Sequence, residues 1–173
     1  MKTILASVAM AFALAFSIQA ADVSVKLSGV HLCCQGCVKG VQATAGTVPG
    51  ATVSADSDAG TVSLTGPDKA TVQKAVNALV AAGYFGKSSD DGIKLKAKTG
   101  AKGKQVQSLE VEGVHLCCGK CVKAVNEALG TVNGVKANTA AKNAKSFTVT
   151  GDFNDRDVFT ALQKAGLTGK AGK

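Results

Sequence analysis

Apolar and polar residues alternate over "VSVKLSG" (23–29), which puts Val23, Val25 and Leu27 on one face of a strand. The period then changes. From Cys34 to about Thr47 the apolar positions Val38, Val41, Ala45 and Val48 recur at the spacing of one helix face, and Pro49-Gly50 ends the run. "ATVSADS" and "TVSLTG" return to the strand pattern on either side of the turn-rich "DSDAG". "DKATVQKAVNALVAAG" predicts a second helix, with Asp68 as N-cap, Val72, Val76 and Leu79 facing inward, and Gly83 as its stop. Tyr84-Phe85 is expected to open a short last strand.

The same pattern returns 84 residues later: Gly29 falls over Gly113, and Leu32, Cys33, Cys34, Cys37, Val38, Lys39 and Val41 all meet identical partners. Gly46-Thr47-Val48 and Gly50 face Gly130-Thr131-Val132 and Gly134; "VSLTG" (62–66) matches "FTVTG" (147–151), and "AGYFGK" (82–87) matches "AGLTGK" (165–170). In the second copy Val122, Val125, Leu129 and Val132 mark the first helix, and a second helix is expected near 155–165. The chain is a tandem duplication, each copy reading β-α-β-β-α-β. That order predicts an α+β fold of two ferredoxin-like βαββαβ domains, each an antiparallel four-stranded sheet with two helices on one face. The expected domains are 22–89 and 105–173, joined by a linker at 90–104. The Ser-, Asp-, Gly- and Lys-rich joining segment reads as mostly solvated, with Asp90-Asp91 as spacer, although "IKLKA" (93–97) alternates and could add a strand.

The N-terminus changes the compartment. "MKTILASVAMAFALAFSIQA" has Lys2, an apolar run from Ile4 to Phe16 and a more polar end, the three-part pattern of a secretory signal peptide over residues 1–20. The run is shorter than the roughly 20 residues of a spanning helix, so a retained anchor is the weaker alternative. Cleavage after Ala20 would deliver a periplasmic or secreted protein with no stable membrane insertion. The formal charge of +8 comes almost wholly from lysine, Arg156 being the sole arginine. Nucleic-acid readers rely on Arg forks and aromatic platforms. With 4% aromatics and no Trp, nucleic acid is not an expected partner, and the lysines read as solvated surface.

All six cysteines lie in two phrases, "GVHLCCQGCVKGV" and "GVHLCCGKCVKAV". Local bridges would close tiny loops and contribute little chain entropy, so a structural disulfide framework explains them poorly. Each trio falls between a strand and the first turn of a helix, where free N–H groups and the positive end of the dipole stabilise thiolate. Cys34 and Cys37, like Cys118 and Cys121, share a helix face and can converge on one soft ion: Cu(I), Zn(II), Hg(II) or Cd(II). Cys33 and Cys117 are candidate third sulfurs, or merely small loop residues. His31 and His115 are candidate imidazole ligands, although a turn-bonding or solvent-facing His is commoner. Tyr84 reads as packing over the site, and Lys87 and Lys170 as solvated. Paired catalytic carboxylates, Ser-His-Asp arrangements and phosphate-cradling Gly loops are not apparent, so no enzyme is expected. The competing reading is a thiol-disulfide module cycling its Cys-x-x-Cys pairs; a structural or adhesive module is a third.

Fold order and a Cys-x-x-Cys between the first strand and helix resemble the heavy-metal-associated (HMA) domain family, which includes copper chaperones, modules of metal-transporting ATPases and the periplasmic mercuric-ion-binding protein. The stretches "CVKGVQATAGTVPGA", "CVKAVNEALGTVNGV" and "AAGYFG" carry the likeness over essentially both copies. The resemblance implies metal ligation by Cys34, Cys37, Cys118 and Cys121, and a thiol-bearing membrane transporter or acceptor as partner. The family's usual Gly-Met-Thr-Cys-x-x-Cys is here His-Leu-Cys-Cys-x-x-Cys. Leu32 and Leu116 thus replace a buried Met, Cys33 and Cys117 replace Thr, and His31 and His115 replace Gly.

Overall fold

The structure is a computed structural model, and residues 21–172 are described. The signal-peptide expectation for residues 1–20 lies outside them. Eight strands and four helices follow the expected order. The first unit has β1 (Val23–Ser28), α1 (Gln35–Ala45), β2 (Thr52–Asp56), β3 (Thr61–Gly66), α2 (Lys69–Ala81) and β4 (Lys87–Ser88). The second has β5 (Gln105–Glu112), α3 (Gly119–Gly130), β6 (Val135–Asn138), β7 (Ser146–Asn154), α4 (Asp155–Lys164) and β8 (Lys170–Ala171). Each unit forms one antiparallel sheet, ordered β2-β3-β1-β4 and β6-β7-β5-β8. These are two ferredoxin-like βαββαβ units.

Sequence chemistry accounts for the elements. Val25 and Leu27 on β1 are buried against Val62 and Leu64 on β3, while the intervening side chains stay outside. Val41 and Ala45 on α1 and Val72, Val76 and Leu79 on α2 bury the apolar helix faces. The Asp68 carboxylate caps α2 by accepting from Thr71 N–H at 2.7 Å, and Asn154 caps α4 by accepting from Arg156 N–H at 3.0 Å. Leu32 and Leu116, each 4% exposed, fill the position of the buried Met in the family pattern.

Two expectations need correction. The last strand of the first unit begins at Lys87, not Tyr84. The backbone at Tyr84 instead forms an antiparallel bridge with Leu167, its counterpart in the other unit. Phe85 N–H donates to Gly166 O at 3.1 Å and Thr168 N–H to Gly83 O at 2.9 Å.

The joining segment is also less solvated than its composition suggests. Asp90 pairs with Lys69 at 3.0 Å, Ile93 is 2% exposed, and Gln73 clasps the Lys94 backbone, accepting from its N–H at 2.9 Å and donating to its oxygen at 2.8 Å. The alternation in "IKLKA" survives as burial, with Ile93 in and Lys94 out, yet no strand forms there because no ladder partner lies alongside. Among the described residues no helix is long and apolar enough to cross a membrane.

Candidate metal centre

In each unit the chain leaves a central strand, turns at a positive-φ glycine and enters a helix. Gly29 (φ 69°) and Gly113 (φ 73°) make the turn; Cys34 and Cys118 are the N-caps of α1 and α3. Cys37 and Cys121 follow in the first helical turn and are fully buried, whereas Cys33, Cys34, Cys117 and Cys118 are half-buried. All six are free thiols.

The two trios face each other. Within the first, Cys37 Sγ lies 3.7 Å from Cys33 Sγ and 3.8 Å from Cys34 Sγ; within the second, Cys121 Sγ lies 3.7 Å from Cys117 Sγ and 3.9 Å from Cys118 Sγ. Distances between the trios are no longer. Cys33 reaches Cys118 and Cys121 at 3.4 Å each, Cys117 reaches Cys37 at 3.5 Å and Cys34 at 3.7 Å, and Cys37 meets Cys121 at 4.0 Å. The phrases read as two equivalent sites in sequence; in space they form one thiol cluster at the junction of the units. A tertiary contact decides this: His31 N–H donates to Gly166 O at 3.2 Å, beside the Tyr84–Leu167 bridge.

Glycine makes the junction possible. A Cβ on Gly83 (φ 89°) would stand 2.5 Å from Gly113 O and 2.6 Å from His115 N, and one on Gly166 (φ 76°) would collide with Gly29 O and with His31 N. Both positions need positive φ and an approach of bare backbone across the units.

The two halves differ in the residue that packs over the cysteine-bearing turn. Tyr84 is buried; its hydroxyl donates to Cys37 O at 3.2 Å and meets His115 Nε2 at the same distance, with the rings 4.6 Å apart. Gly40 leaves room for that hydroxyl. The second copy carries Ala124 and Leu167 at the corresponding positions. His31, lacking a tyrosine partner, has a buried Nε2 with no hydrogen-bond partner, and the ring offers a ligand atom within 4.8 Å of Cys33 and Cys121 Sγ. Burial lowers the His31 pKa, which favours the neutral, ligating imidazole. Sequence reasoning missed the Tyr84–His115 contact, because the two residues belong to different copies.

Electrostatics favour partial ionisation. Hydrogen bonding from Cys121 foremost, then from His115 and Cys117, holds Cys37 well below the usual thiol range against its burial, and Cys121 is pushed up by the same pairing. The two shifts run in opposite directions, so ionisation of one thiol of the pair opposes ionisation of the other. Cys118 is lowered to about 6, first by the backbone N–H of Cys121 in the opening turn of α3. Burial pushes Cys33 up to about 12 and Cys117 higher still. A thiol set with this spread holds a partial charge when empty and loses protons when a cation enters.

The donor set fits a soft ion. A metal–sulfur bond of about 2.3 Å requires sulfur separations of about 4.0 Å in a trigonal site and about 3.8 Å in a tetrahedral one. The observed separations run from 3.4 to 4.0 Å: the longest reach that range, the shortest would open by a few tenths of an ångström around an ion, and all fall short of the roughly 4.6 Å of a linear pair. Lys170 is engaged elsewhere, pairing with Glu112 at 3.1 Å.

Residues 108–168 match the family described as "Heavy-metal-associated domain". No curated protein matches the sequence. Among solved structures, the chain is similar to a copper-binding domain from a P-type ATPase, at 24% identity over 39% of this chain and 96% of that one, TM-score 0.36. It is also similar to the N-terminal soluble domains of CopA from Bacillus subtilis, at 14% identity over 88% of this chain and 95% of that one, TM-score 0.34. A third likeness is to the apo HMA domain of the copper chaperone for superoxide dismutase, at 22% identity over 49% of this chain and 85% of that one, TM-score 0.35. The strand-helix order and the cysteine-bearing turn lie within the stretch that the family model matches: over residues 108–168 this chain is similar to the heavy-metal-associated domain.

Proposed function

We propose that this is an exported soft-metal-binding protein built from tandem HMA-type domains, which captures Cu(I)-, Zn(II)-, Cd(II)- or Hg(II)-class ions through cysteine thiolates and then transfers or sequesters them. The observation that carries the reading is the convergence of all six free thiols on one another, with sulfur separations down to 3.4 Å and none of the nine hydrogen-bonding pairs beyond 4.0 Å. Cys34, Cys37, Cys118 and Cys121 are the primary ligands, Cys33 and Cys117 add sulfurs, and His31 adds an imidazole. The half-buried Cys34 and Cys118 are the sulfurs that an incoming ion, or the thiols of a membrane transporter or other acceptor, would meet first. Hand-over would then proceed by ligand exchange. The compartment follows from the residues 1–20 pattern: periplasm, or the medium. The protein acts as a carrier or store and catalyses no reaction.

The test is anaerobic competition. The reduced protein is expected to take Cu(I) or Zn(II) from a chromophoric chelator, and Cys37→Ser with Cys121→Ser to lose most of that capacity. A reduced protein that takes no soft ion, but cycles reversibly between dithiol and disulfide, would establish the redox reading instead.

A further inference from the structure

The mutual arrangement of the six sulfurs is more specific than a cluster. Nine pairs stand at 3.4–4.0 Å. Three more, Cys33–Cys34, Cys34–Cys118 and Cys117–Cys118, belong to triads whose ligand atoms all lie within 4.8 Å of one another. In these twelve close pairs every sulfur has four neighbours and one opposite. The opposites are Cys34 with Cys121, Cys37 with Cys118, and Cys33 with Cys117. Such a set of pairs is the edge set of an octahedron. Its shortest edges, 3.4 Å, run from Cys33 to Cys118 and Cys121, and the edge between the two buried sulfurs, Cys37 and Cys121, is 4.0 Å.

An octahedron of donors offers triangular faces, and any four of its vertices include an opposite pair. It therefore suits ions that accept three thiolates better than ions that need four in a tetrahedron. Its eight faces divide into two sets of four alternate faces. Ions on one such set each hold three sulfurs, and each sulfur bridges two ions. One of these sets consists of Cys33/Cys34/Cys118, Cys34/Cys37/Cys117, Cys117/Cys118/Cys121 and Cys33/Cys37/Cys121. Three of these are the triads within 4.8 Å, and the fourth has edges of 3.7, 3.4 and 4.0 Å. Monovalent soft ions such as Cu(I) are selected by thiolate ligands, and Cu(I) takes such three-sulfur sites, whereas Zn(II) and Cd(II) favour four donors in a tetrahedron.

We propose that the cargo is a single tetranuclear cluster of monovalent soft ions, Cu(I) or its class, held jointly by both units, in place of one ion per Cys-x-x-Cys. This deepens the metal-binding reading and rests on it. Cys33 and Cys117 are then bridging ligands, each the opposite vertex of the other, and loading ties the two units together. As the ions enter, the thiol protons leave to solvent; six thiolates and four monovalent cations leave a complex of two negative charges. No oxidant or reductant is involved.

The probe is Cu(I) itself, added anaerobically to the reduced mature chain in competition with a Cu(I) chelator and followed by native mass spectrometry. Wild type is expected to pass cooperatively from metal-free to four copper ions on one chain, with the luminescence of a water-shielded copper–thiolate core. Cys33→Ser with Cys117→Ser, which keeps both Cys-x-x-Cys pairs, is expected to hold at most two ions and lose the luminescence. Two ions per wild-type chain, unaffected by that double substitution, would overturn the shared cluster and leave the metal-binding function standing. Four ions found only on a two-chain species would also overturn it. No Cu(I) bound at all would remove the metal-binding reading as well.

Discussion

Gly83→Ala separates the two cysteine trios without touching a cysteine. The new Cβ would sit 2.5 Å from Gly113 O and 2.6 Å from His115 N, where ordinary contact begins at 3.4 Å, so the units must part locally by close to an ångström. That movement breaks the three backbone hydrogen bonds of the junction, His31 N–H to Gly166 O, Phe85 N–H to Gly166 O and Thr168 N–H to Gly83 O. At about 1 kcal/mol net each the docked state loses about 3 kcal/mol, or roughly two orders of magnitude in the docking equilibrium. The positive φ adds about 1 kcal/mol of backbone strain, but this falls on the first unit whether docked or not. Gly29→Ala is the matched control: its φ is also positive (69°), and a Cβ there meets nothing within 4 Å. The assay is alkylation of the reduced, metal-free chain, with adducts at the buried Cys37 and Cys121 located by mass. Gly83→Ala is expected to speed these two sites by about a hundredfold, with unchanged far-UV circular dichroism, and Gly29→Ala to leave their rate near wild type. Equal alkylation rates in Gly83→Ala and wild type would refute the glycine-gated junction.

Other expectations follow from single contacts. Gly40→Ala should destabilise through the Tyr84 hydroxyl, and Tyr84→Leu in the same chain should recover most of the loss, since the second copy carries the Ala124/Leu167 combination; paired denaturant melts check this. Tyr84→Phe removes the hydroxyl's bonds to Cys37 O and His115 Nε2 and should cost about 1 kcal/mol in thermal unfolding. For Asp155, burial raises the carboxyl pKa, but the N–H groups of Lys102, Lys104 and Gly103 outweigh it and hold the group below the usual range. A depressed native pKa means its stabilisation is complete above the unfolded value of about 4 and is lost as pH falls through the native one. Asp155→Asn should therefore lower stability at neutral pH and flatten the acid side of the stability–pH curve. Ile93→Ala should cost about 2–5 kcal/mol although it lies in the joining segment; a loss under ~0.5 kcal/mol in urea titration would return that segment to a solvated spacer.

Much of this molecule is written locally in its sequence. The alternation of Val23, Val25 and Leu27 and the helical spacing of Val38, Val41 and Ala45 fix which faces are buried, because side-chain direction has period two in a strand and 3.6 in a helix. Asp68 marks the start of α2 because a carboxylate can accept one of the N–H groups that no helical turn satisfies. The repeat offset determines the duplication, and the cysteine phrases place thiols at two strand-to-helix turns. Those signals are local, and so they stop at the edge of each copy. No periodicity states that Gly83 and Gly166 meet the opposite loop, that Tyr84 reaches His115, or that Ile93 packs inward. Each depends on residues far apart in the chain meeting at backbone-to-backbone distance, where a single Cβ decides contact or collision. The sequence alone determines six thiols in two equivalent trios. The docking of the units decides that Cys33 touches Cys118 and Cys121, and thereby makes two three-sulfur loops into one six-sulfur site.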